Sequence, residues 1–118
     1  MRKETLLQRF TQKWGIHITD EVIDSYPEAI QEEMQYLYDQ IFLNPNKTIS
    51  RLKDLVKEYP KIPSIKNKLY SAYMLSGHTR EAKKVLNETI HLHPNYLFGI
   101  SNKILNEFDP NILKTYKN

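Results

Sequence analysis

Four histidines are the first side chains in this 118-residue chain to ask chemistry of, since imidazole is both a metal ligand and a base near neutral pH. His91 and His93 are separated by one residue, so on a helix they project about 200° apart and cannot share a metal ion. They flank an expected helix end, where an imidazolium meets the carbonyl end of the helix dipole favourably. His78 falls in an expected turn and His17 in a short extended stretch. A metal site needs converging ligands of the right number and geometry, and the chain has no cysteine to add a thiolate. No metal and no cofactor is expected. Glu28, Glu32 and Asp39 lie near one helix face, at spacings of four and seven. An acid pair for hydrolysis needs a cleft and separated pKa values, so this spacing reads as a solvated acidic face. The sequence has no glycine-rich phosphate loop, nucleophile motif or dinucleotide fingerprint. The expectation is a protein that is not an enzyme.

Charge is distributed unevenly. The net charge of +3 combines four basic and eight acidic side chains in residues 1–44 with thirteen basic and six acidic ones in residues 45–118. Such a split steers an acidic partner or favours contact between copies of the chain. The basic set Lys47, Arg51, Lys53, Lys57, Lys61, Lys66, Lys68, Arg80, Lys83 and Lys84, with eight tyrosines, has the chemistry to contact phosphates and stack bases. Most tyrosines, however, fall at apolar helical positions, where core packing accounts for them. Nucleic acid is therefore the alternative partner and not the expected one. Apolar residues make up 40% and mean hydropathy is −0.62. No run approaches the ~20 apolar residues of a membrane span. The N-terminal residues lack the apolar core of a secretory leader, so a cytoplasmic location and no membrane partner are expected.

Any such side chains must be positioned by helices. Leu6, Leu7 and Phe10 form one stripe ahead of Trp14 and Gly15, an N-terminal appendage over residues 1–26. Ser25-Tyr26-Pro27-Glu28 has capping-box spacing and opens a run with Ile30, Met34, Leu37, Tyr38, Ile41 and Phe42 at helical spacing. Asn44-Pro45-Asn46 ends it. A helix from about Lys47 to Tyr59 turns Ile49, Leu52, Leu55, Val56 and Tyr59 inward, and Pro60 stops it. Two short helices follow between Pro63 and Pro94, broken at Gly77. Ile100, Ile104, Leu105 and Phe108 mark another over residues 97–108, and Asp109-Pro110 opens a last short helix with Ile112, Leu113 and Tyr116.

Pro60 and Pro94 are 34 residues apart, the tetratricopeptide period. From Pro63 the chain supplies Leu69, Tyr73, Gly77, Ala82, Leu86 (in place of an aromatic) and Pro94 at that family's signature positions. It departs at Lys66, where a large aromatic is expected, and at Tyr70, where a small residue is expected. Residues 63–96 thus resemble one tetratricopeptide repeat. Residues 29–62 resemble a degenerate one, with Leu52 at the aromatic position and Thr48 at the alanine position. Residues 97–118 resemble a partial repeat or cap. The expected fold is all-α: antiparallel helical hairpins stacked as a short right-handed tetratricopeptide-like solenoid over residues 27–118.

The resemblance implies a protein–protein interaction module, an adaptor, scaffold or chaperone-like domain, holding a peptide segment or partner helix in a concave groove. By position the groove residues would be Leu37, Asn67, Ser71, Met74, Phe98, Ser101, Asn102 and Leu105. Asn67 and Ser71 stand where the family's carboxylate clamp has Lys and Asn, so that specialised activity is not expected. The alternatives are a helical-repeat protein binding nucleic acid through residues 47–84, and a homo-oligomeric structural module.

Overall fold

A computed structural model describes residues 25–108, with side chains through Lys103. The described residues form five α-helices and no strand: α1 (Glu28–Leu43), α2 (Pro45–Glu58), α3 (Pro63–Leu75), α4 (Thr79–Leu92) and α5 (Leu97–Phe108). The expected appendage over residues 1–24 and the expected last helix after Asp109 lie outside them.

Proline and glycine set the boundaries. Pro45 and Pro63 sit in the first turns of α2 and α3, where a missing N–H leaves no intrahelical bond unmade. α2 therefore starts at Pro45, two residues before the expected start. α1 has Pro27 as its N-cap residue in place of the expected Ser25, and the Gln31 amide donates back to the Tyr26 carbonyl at 3.0 Å. Between α3 and α4 the Gly77 N–H bonds to the Met74 carbonyl at 3.2 Å and the His78 N–H to the Tyr73 carbonyl at 2.8 Å. With Gly77 at φ 84°, this is a Schellman stop, and the His78 ring rests edge-on against the Tyr73 ring, 6.1 Å between centroids.

Local structure repeats along the chain. α2 and α4 begin 34 residues apart, and so do α3 and α5. The ends of α2 and α4 are near copies: Tyr59 and His93 have φ/ψ of −126°/65° and −132°/69°. Each donates its N–H to the residue four back at 2.8 Å.

Each helix packs on its neighbour in the chain, and α1 also packs on α3. The inward stripes are those the periodicity predicts: Ile30, Met34, Leu37, Tyr38 and Ile41 from α1, Leu52 and Leu55 from α2, and Ala82 and Leu86 from α4 are buried. Thr48, in the alanine position, is buried as well and donates its hydroxyl to the Pro45 carbonyl at 2.7 Å, so its polar atom is satisfied within its own helix. Across α1 and α2, Arg51 grips Glu33 through two bonds of 2.5 and 2.8 Å. The bonds to Arg51 hold the Glu33 carboxyl below the usual range, against the opposing effect of burial.

Two substitutions test this packing. Ala82 is fully buried, so Ala82→Leu overpacks the α3–α4 contact and lowers stability by about 1–3 kcal/mol. Gly77 has open space around a Cβ but a left-handed φ, so Gly77→Ala costs about 1–2 kcal/mol through backbone strain alone. Urea midpoints equal to wild type for both variants would refute this account.

Candidate functional site

The structure places most of the expected groove residues inside the protein. Leu37, Asn67, Ser71, Met74 and Asn102 are buried, Phe98 and Ser101 are half-buried, and the side chain of Leu105 lies outside the described residues. The two amides meet each other: Asn102 Nδ2 donates to Asn67 Oδ1 at 3.0 Å, joining α5 to α3. Ser71 donates its hydroxyl to the Asn67 carbonyl at 3.1 Å. Polar groups expected to pair with a ligand's backbone are thus paired within the molecule, and these side chains are closed to solvent. The physical reason is that α3 is buried around its whole circumference, from Ser64 to Met74.

Two lysines share that burial. Lys68, fully buried, donates to the Tyr26 hydroxyl at 3.0 Å, and its ammonium lies 5.5 Å from the centre of the Tyr26 ring and 5.7 Å from that of Tyr38. Ser64 donates to the same hydroxyl at 2.8 Å. Lys66, 4% exposed, stands where a large aromatic was expected. Its stem fills that space while its ammonium donates to the Pro60 carbonyl at 2.5 Å and lies 3.3 Å from His93 Nε2. An ammonium only donates, so in this contact Lys66 is the donor and His93 Nε2 the acceptor. Burial pushes the Lys66 ammonium below its ordinary value, and Glu88 opposes this. Burial and the charge of Lys66 both push the His93 imidazole down, and the Pro60 carbonyl opposes them. This cluster ties the α2–α3 connection to the end of α4.

The described surface is open elsewhere, between α2 and α4. Two adjoining hollows of about 510 and 480 Å³ run along this seam. Both are lined by Lys53 and Lys57 from α2, Tyr73 from α3 and Glu81 from α4. The first extends over Asn46, Ile49, Ser50, Asp54 and His78. The second has half-buried Val56 and Val85 and buried Leu69 along its lining, between Lys57 on one wall and Lys84 and Glu88 on the other. Burial, with the charge of Glu81, pushes the Tyr73 phenol up, so it stays a protonated hydroxyl in the floor; Lys84 opposes the shift. An apolar strip edged by charges of both signs can take the apolar face of a peptide or helix and fix its register by ion pairs. Sequence reasoning turned Ile49 and Val56 inward and gave Lys53, Lys57 and Lys84 to the alternative of a phosphate contact, without joining them into one groove. Its one visible signal is the pair Lys53 and Lys57, like charges one helical turn apart beside the inward Val56.

Among the described residues, no three of His, Cys, Asp and Glu lie together in a way that could hold a metal ion. No helix among them is long and apolar enough to cross a membrane.

The His93 cluster gives a pH signature. The folded pKa lies below the unfolded value near 6.5, so the unfolded chain binds the proton first as pH falls. The stability that goes with neutral His93 is present in full above that value and is lost as pH falls through it toward the folded pKa. His93→Gln keeps an acceptor for Lys66 without the titration, so its stability falls less than that of wild type between pH 7.5 and 5.5, as chemical denaturation at each pH will show. Parallel profiles would refute the coupling. Comparison of the chain with protein-family models, curated proteins and solved structures gives no match.

Proposed function

We propose that this chain is a tetratricopeptide-like helical array that works as a protein–protein interaction module, and that its docking surface is the groove between α2 and α4. Support for the array reading comes from the 34-residue spacing of α2 and α4 and of α3 and α5, the matching ends of α2 and α4, and buried Leu52 and Leu86 at equivalent positions. The observation that carries the docking reading is the hollow lined by half-buried Val56 and Val85 over buried Leu69 and Tyr73, between two charged walls. The inner face, where the family resemblance puts the ligand, has its amides already joined by the Asn67–Asn102 bond.

A segment with apolar anchors and flanking charges fits this groove better than a phosphate backbone. Asp54, Glu81 and Glu88 alternate with the lysines and would repel a polyanion along most of its path.

Panning a library of helical peptides against the full chain tests the proposal. Binders are expected to lose roughly tenfold or more in affinity on Val56→Ser combined with Val85→Ser. Asn67→Ala combined with Met74→Ala removes buried groups and so acts on folding stability instead. Binders indifferent to the valine pair would sink the assignment of the groove.

A further inference from the structure

The reading of the α2–α4 groove as a docking surface leaves its occupant open, and the inference that follows rests on that reading. The outward face of α1 carries Glu28, Glu32 and Tyr36 one helical turn apart, all exposed, with 61% of the Tyr36 surface open to solvent. Like charges four residues apart weaken a helix, and α1 contains no lysine or arginine to offset them. Glu33, beside them, is already engaged by Arg51.

The groove presents the complement. Lys53 and Lys57 stand on its α2 wall at the same four-residue spacing, both exposed, above the floor of Val56 and Tyr73. The α4 wall carries Glu81 and Glu88 with Lys84 between them, a net negative side, and the α2 wall carries Lys53 and Lys57 against the single acid Asp54, a net positive side. An incoming acidic helix is therefore aligned along the α2 side. From these placements we infer that the groove takes α1 of a second copy of this chain, with Glu28 and Glu32 against Lys53 and Lys57 and the Tyr36 ring on the apolar floor. A molecule's own α1 cannot serve, because its opposite face is packed on α2 and α3. The two surfaces are different, so made reciprocally the contact closes a two-fold dimer, and made once per copy it runs head-to-tail into a ring or an open chain. A foreign partner with an acidic, aromatic helix would compete for the same groove.

Sedimentation of the full chain tests this. Wild type is expected to gain mass with concentration at low salt and to lose that association as salt screens the pairs. Lys53→Glu with Lys57→Glu, and separately Glu28→Lys with Glu32→Lys, should each weaken self-association by roughly tenfold or more. An equimolar mixture of the two variants restores it, because each reversed surface then meets its opposite. If the α1 reversal impairs folding, Glu28→Gln with Glu32→Gln takes its place, and Tyr36→Ala probes the anchor; both are expected to weaken association. A monomer up to near-millimolar concentration at low salt overturns the inference, and so does association that neither reversal changes. A monomer that still binds selected helical peptides in the groove leaves the docking reading standing and removes only the second copy; a monomer that binds none removes both.

Discussion

The structure depends on the complete burial of α3. Eleven consecutive residues, Ser64 to Met74, are shut away from water, and they include two lysines, an asparagine and two serines. A buried polar group without a partner costs about 1–3 kcal/mol, and a buried charge more, so each of these side chains dictates something about its surroundings. Lys66 needs the Pro60 carbonyl and His93, Lys68 and Ser64 need Tyr26, Asn67 takes Asn102, and Ser71 turns back to its own helix. The partners come from the segment before α1, the α2–α3 connection, the end of α4 and α5. The polar interior of one helix thus fixes the register of the elements around it. Apolar contacts alone, being non-directional, would fix it less sharply.

Burial of α3 also shapes the described surface. Among the described residues, α2 and α4 part over Leu69 and Tyr73 and leave a seam there. Apolar floor and charged walls therefore come together from three helices at one seam. The lysines of the α2 wall, which as a sequence pattern suggested phosphate binding, face glutamates across the groove. That mixed field favours a partner with patterned charge over a uniform polyanion.

Among the described residues, the helices, with the starts of α1 and α2 to within two residues, were legible in the local sequence. Apolar residues at helical spacing located the inward stripes of α1, α2 and α4, and Pro45, Pro63 and Gly77 marked boundaries through their backbone chemistry. These are local effects, set within one or two turns, so one chain is enough to read them. The inner residues of α3 were legible as helical but not as buried. Lys66, Asn67, Lys68 and Ser71 are polar, and a rule that sends polar residues to solvent holds only where no partner waits inside. Ser71 pairs within its own helix, but the side chains that meet Lys66, Asn67 and Lys68 lie far along the chain, with His93 27 residues from Lys66, Asn102 35 from Asn67 and Tyr26 42 from Lys68. That these groups pair with one another, and that a groove opens between α2 and α4, follows from how the helices pack. Spacing along one helix fixes what shares a face, and the distance between helices is set by how their side chains pack.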